Sequence, residues 1–216
     1  MAAGSVSVLM ASSTSPPAMP PPNNSPRTSR RWPERFSASI PTGRLRVAIP
    51  SPHRSIRTAT ETRRGLIGIQ QTGDLWESEH GATGNDEINV VDGGANYGWP
   101  TIEGSRTMPA MREPMTFYNP AVAPSGASFY RGQRFPQFAN NLFVGTLRGT
   151  HLLRLRVDPA SRRITGQERL LEGQFERIRD VISGPDGLLY FCTNNRDGRG
   201  NPVMGDDRIA RLVPAP

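Results

Sequence analysis

The chain has 216 residues, a formal net charge of +7 and a mean hydropathy of −0.51. No run approaches the roughly 18 apolar residues of a membrane-spanning helix, and a single cysteine, Cys192, excludes an internal disulfide. The charge is uneven: residues 1–64 carry ten Arg against two acids, and residues 65–216 carry sixteen Arg against seventeen. The basic balance therefore belongs to the N-terminal segment alone, which has neither aromatic interleaving nor a recognisable nucleic-acid motif, and a nucleic-acid partner is not expected.

Residues 1–64 hold ten Pro and eleven Ser with no apolar periodicity, a composition that buries too little surface to offset its ordering entropy, so disorder is expected there. Ser5 to Met10 is too short and too polar for the apolar core of a secretory signal. From Asp74 onward the pattern changes. Asp74-Leu75-Trp76 reads as a strand, Gly81 to Gly84 as a turn, Glu87 to Val91 as a strand, and Gly93-Gly94 with Asn96 and Gly98 as a second turn. Glycines beside paired carboxylates suit a hard cation, because glycine lets main-chain carbonyls turn inward while Asp and Glu supply anionic oxygens. The same composition also describes two tight hairpin turns with solvated acids.

Further short strands are expected at 126–131, 141–147, 151–157, 166–171, 178–183, 188–193 and 207–213, separated by Pro136, Asp158-Pro159, Gly184 to Gly187 and Asp197 to Gly200. No helical stripe exceeds a couple of turns, so residues 65–216 are all-β: a sandwich, a barrel or a propeller. Arg177 and Arg179 stand two apart on a strand and so point to one face. Cys192 lies in an apolar strand run and reads as a buried, inert thiol.

Three ordered motifs, Glu79-His80-Gly81, Asp86-Glu87-Ile88-Asn89 and Asn96-Tyr97-Gly98-Trp99-Pro100, continue through Pro124 to Tyr130, Thr146-Leu147-Arg148, Arg177-Ile178-Arg179-Asp180-Val181 and Gly184 to Tyr190. Together they resemble the glucose/sorbosone dehydrogenase family, which oxidises aldose sugars with pyrroloquinoline quinone and calcium on a six-bladed β-propeller and hands the electrons to an external acceptor. At about 40–50 residues per blade, residues 65–216 would supply roughly three blades, the C-terminal half of the fold. The open edge of such a half would expose unpaired strands and invite self-association.

The resemblance implies that Arg177 and Arg179 contact the quinone, with Arg148 standing where glucose dehydrogenases have Lys. It implies calcium ligation by the main-chain carbonyls of Gly81 and Ala82, and a second calcium site using the Glu87 side chain and the Tyr97 carbonyl. Asp86 reads as a weaker neighbour, more a turn acid than a ligand. Trp99 and Tyr97 would line a sugar cleft or pack in the core. The family's general-base His has no counterpart among His53, His80 and His151, and the Arg-Asn-x-Gln cofactor motif is replaced by Glu61-Thr62-Arg63-Arg64. The expectation is therefore a partial, inactive member, with a change of reading frame or gene model near residue 65. The alternative is a non-catalytic calcium-binding module. The family is usually exported, which implies a periplasmic or secreted location, although no signal is seen.

Overall fold

The structure is a computed structural model; it describes residues 72–214 in full and the strands Val6–Met10 and Thr62–Gly68 by their backbone pairing. Twelve strands follow in chain order: β1 (Val6–Met10), β2 (Thr62–Gly68), β3 (Leu75–His80), β4 (Asp86–Val91), β5 (Thr116–Tyr118), β6 (Pro124–Phe129), β7 (Asn141–Thr146), β8 (Leu152–Asp158), β9 (Arg163–Leu170), β10 (Ile178–Ser183), β11 (Leu189–Thr193) and β12 (Ile209–Pro214). The only helical turn among the described residues is a 3-10 turn at Pro136–Phe138. The strands form three four-stranded antiparallel sheets in the orders β2-β3-β4-β5, β6-β7-β8-β9 and β1-β12-β11-β10. The all-β expectation holds, and four-stranded antiparallel sheets are the unit from which propeller blades are made.

Two departures concern the N-terminal segment. The expected boundary at residue 65 falls inside β2, which pairs with β3 on both sides of a bulge between Arg63 and Gly65. The segment read only as too short for a signal, Val6 to Met10, pairs with the last strand from Val6↔Pro214 to Met10↔Ala210. Its alternating Val and Ser suit a strand, but its partner lies some two hundred residues away, so nothing local announces the pairing. The rest of the expected disorder, residues 1–5 and 11–61, lies outside the described residues.

Alternation along β7 and β8 buries both faces of the middle sheet. Leu142, Val144, Leu153, Leu155 and Val157 pack with Trp76, Ile88 and Val90 of the first sheet, while Phe143 and Leu152 pack with Ile178, Val181, Leu189 and Phe191 of the third. Each of these fully buried side chains contributes roughly 1.5–3 kcal/mol. Aromatic edges reinforce both cores: Trp76 meets Phe129 at 5.9 Å between centroids, and Phe138 meets Phe143 at 5.0 Å.

A seam of serines joins the sheets where β6 runs beside β10. Ser78 Oγ donates to Ser125 O at 3.2 Å, and Ser125 Oγ lies 2.9 Å from both Gly145 O and Ile178 O. Gly126 is required in this seam, since a Cβ there would lie 2.9 Å from the Asp180 Cα and closer still to its carboxylate. Close approach of β6 to β10 sets the position of the Arg177–Asp180 segment relative to the middle sheet.

Candidate functional site

The loop after β3 turns tightly at Gly81, where an added Cβ would sit 1.7 Å from the carbonyl oxygen of Gly84. Asp86, at the start of β4 and 2% exposed, holds this loop from below. Its Oδ1 accepts from Gly81 N at 3.0 Å, and its Oδ2 accepts from Val122 N and Ala123 N, each at 2.7 Å. The turn acid of the sequence reading is thus the tie between the Gly81 loop and the next sheet. His80 adds a second tie, its Nε2 lying 2.7 Å from Pro124 O.

The same backbone segment carries the chain of contacts onward. Val122 O accepts from Arg148 N and Gly149 N at 3.0 and 2.9 Å, and Ala123 O accepts from Leu147 N at 2.9 Å. Leu147 O in turn accepts from Arg177 Nη1 at 3.4 Å. Hydrogen bonds therefore run without a break from the Gly81 loop through Asp86 and the Arg148 turn to Arg177. The Gly81 loop, the Arg148 turn and Arg177 thus lie along one edge of the three sheets.

The arginines differ in availability. Arg177 is buried, and its guanidinium donates to Asn194 O at 3.2 Å, to Leu147 O, and to Asp197 Oδ2 at 2.7 Å. Arg179 sits in the bulge between Ile178 and Asp180, reaches Asp197 at 3.5 Å and is about 40% exposed at its side chain. With its amide oxygen turned toward the guanidinium, Asn194 accepts from Arg179 at 2.8 and 3.1 Å. Arg148 is exposed. The Arg177 guanidinium holds the Asp197 carboxyl below the usual carboxylate range. Sequence reasoning missed Asp197, Asn194 and Asn195, whose Oδ1 accepts from Arg177 N at 2.9 Å; the run Asn194-Asn195-Arg196-Asp197-Gly198 signals a turn, and its polar side chains were the available clue.

Glu87 is buried, with Oε1 accepting from Gly104 N at 2.7 Å and Oε2 from Asn89 Nδ2 at 3.4 Å. Burial pushes its carboxyl up, and the charge of Glu103 pushes the same way. A cavity of about 10 Å³ beside it is lined by Glu79, Glu87 and Glu103 with Gly81, Tyr97 and Trp99, room for one water-sized particle. Glu103 Oε2 is buried there with no hydrogen-bond partner among the described residues. No three Asp, Glu, His or Cys side chains among the described residues form a metal-holding group. Tyr97 is 6% exposed, its hydroxyl donates to Val90 O at 2.5 Å and accepts from Asp92 N at 2.7 Å, and it also borders a cavity of about 610 Å³. Trp99 is half-buried along the small cavity. Cys192 is half-buried, and burial raises its thiol, in keeping with an unreactive side chain.

Gly81→Ala is expected to displace the loop outright, because the obstructing atom is backbone and cannot rotate away. Urea unfolding should then show a loss of about 1–3 kcal/mol, as for other overpacked sites; native stability would show that the loop can yield.

These features define an all-β protein with an arginine cluster and an acid-and-carbonyl loop on one edge. Residues 61–204 match the model of the family described as glucose / sorbosone dehydrogenase, and the chain belongs to that family. It is 36% identical over 137 residues to the aldose sugar dehydrogenase YliI of Escherichia coli, covering 57% of this chain and 36% of that protein. To quinoprotein glucose dehydrogenase B of Acinetobacter calcoaceticus it is 25% identical over 214 residues, covering 69% and 44%. The structure of the PQQ-bound aldose sugar dehydrogenase of Streptomyces coelicolor superposes with a TM-score of 0.63 at 29% identity, over 72% of this chain and 44% of that one. The chain thus spans less than half the length of each of these relatives.

Proposed function

We propose that the three sheets are blades of a propeller and that the edge described above is one wall of a site for calcium- and pyrroloquinoline quinone-dependent oxidation of aldose sugars. The observation that carries this is the unbroken line of hydrogen bonds placing Arg148, Arg177 and Arg179 on the same edge as the Gly81 loop. The donor set fits the group. The quinone is a flat tricarboxylate, and exposed guanidinium forks on Arg148 and Arg179 match its anionic oxygens. Arg177, buried and already giving three hydrogen bonds, would back Arg179 through the shared Asp197.

For calcium, the carbonyls of Gly81 and Ala82 accept no loop hydrogen bond among the described residues, and Glu87 and Tyr97 border a cavity with an unpartnered Glu103 oxygen. A site built mainly from carbonyls with one carboxylate suits a hard cation and does not need three acidic side chains. When bound, the quinone supplies the two-electron oxidant and the calcium a Lewis acid beside it. The chain's own residues bind and orient. Neither described imidazole is placed as a base: His80 is committed to Pro124 O and His151 is buried. Loss of a general base alone costs about 10²- to 10⁴-fold in rate, so the chain by itself is expected to bind cofactor with negligible turnover.

Calorimetry of the 216-residue chain with pyrroloquinoline quinone, with and without calcium, tests the reading. Calcium-dependent quinone binding is the expected result. Calcium binding with no quinone binding would instead favour a non-catalytic calcium-binding module, and binding of neither would overturn both.

A further inference from the structure

Between β5 and the turn joining β7 to β8 lies a cavity of about 370 Å³, within the roughly 300–1,000 Å³ of small-molecule sites. Phe117, Tyr118, Arg148, Gly149, His151 and Arg169 contribute to its wall, and none of its lining residues is Asp or Glu. Arg148 has no acidic partner among the described residues. Arg169 gives one nitrogen to Glu172 at 3.1 Å in a pair exposed on both sides, which neutralises it weakly. The wall therefore carries surplus positive charge. The larger cavity at the other end of β4, about 610 Å³, is different: Asp92 and Glu113 line it, and Asp92 pairs with both Arg162 and Arg112.

His151 closes one side of the cavity. It is 2% exposed, and its Nδ1 lies 2.6 Å from Gly149 O. A carbonyl only accepts, so Nδ1 carries the proton and Nε2 keeps a lone pair in the neutral ring. Burial holds the imidazole below its usual range, which favours that neutral form. Nε2 is itself buried, so the ring is part of the wall and not a contact for the occupant. Phe117, 39% exposed, offers an aromatic face at the same cavity.

We propose that this cavity takes an aldose carrying an anionic group, phosphate or carboxylate, with the anion held by Arg148 and Arg169 and Phe117 against the apolar face of the ring. Arg148 follows Leu147, whose carbonyl meets Arg177, so the occupant lies beside the arginine wall. The sugar rests on the sugar-oxidising reading; the anion rests on the cavity's own charge.

The test is calorimetry of the 216-residue chain with glucose 6-phosphate, glucuronate, glucose and inorganic phosphate, at low and high salt, repeated with Arg169→Gln. One of the two anionic sugars should bind at least about tenfold more tightly than glucose and than inorganic phosphate, and which one identifies the anion. Arg169→Gln, at an exposed position, should keep the melting temperature and weaken that binding about tenfold. Equal affinity for glucose and both anionic sugars, phosphate binding as tight as the sugar's, or an unaffected Arg169→Gln variant would each overturn the proposal. Quinone and calcium binding with no anionic-sugar binding sinks the pocket and leaves the sugar-oxidising reading standing; the converse sinks that reading and leaves the pocket.

Discussion

Replacing Asp86 with alanine is expected to lower the unfolding free energy by about 2–4 kcal/mol, because three backbone N–H groups lose their acceptor at once. Gly81 N, Val122 N and Ala123 N all converge on this carboxylate at 2.7–3.0 Å. Of the donors, Val122 is buried and Gly81 and Ala123 are half-buried, so water recovers part of the loss and keeps the cost below three full desolvation penalties. Asp86→Asn retains one acceptor oxygen and should cost about half as much. Both variants untether the Gly81 loop from the segment whose carbonyls hold the Arg148 turn, so calcium and quinone affinity should fall in the same order, alanine below asparagine below the native chain. Urea unfolding gives the stability and calorimetry the affinities. An alanine variant within 0.5 kcal/mol of the native chain would show that the tie is incidental.

The weight that falls on Asp86 shows where sequence and structure part. Strands such as Asn141–Thr146 and Leu189–Thr193 are legible because apolar residues recur between Gly, Pro and Asn punctuation, and both lie within a residue or two of the expected spans. Thr116–Tyr118 was missed because a three-residue strand between Pro114 and Pro120 has no room for a period. The pairing of Val6–Met10 with Ile209–Pro214 was missed for another reason: partner choice at an exposed sheet edge is set by which strand arrives, and local composition is silent on it. In the site, Arg177 and Arg179 both reach Asp197, but Arg177 precedes β10 and Arg179 sits in its bulge, so the two-residue spacing of a regular strand is not what brings them together. Their different burial follows from the bulge at Arg179 and from Asp197, eighteen residues further on, which no local pattern connects to Arg179. Asp86 looked like a turn acid because its partners at Val122 and Ala123 stand in another sheet.

That difference in burial makes the two arginines experimentally separable. Arg177→Ala removes a buried guanidinium with three acceptors, leaving Asn194 O and Leu147 O without their donor and Asp197 without its closest cation. A destabilisation of about 3 kcal/mol is expected, as for other buried charged groups deprived of a partner, and any loss of quinone binding would follow from disorder around Leu147. Arg179→Ala truncates a side chain that is about 40% exposed and shares Asp197 only at 3.5 Å, so its cost should stay within about 0.5–1 kcal/mol. Quinone affinity is the reverse case: with a guanidinium–carboxylate pair removed from the exposed wall, Arg179→Ala should bind the quinone about 10- to 100-fold more weakly at nearly native stability. Arg179→Lys keeps the charge but not the fork, and should recover only part of that affinity. Urea unfolding beside quinone titration, both in calcium, resolves the four quantities. If Arg179→Ala loses stability as Arg177→Ala does while keeping native quinone affinity, the cluster is a structural clamp, and the arginine wall has no quinone to face.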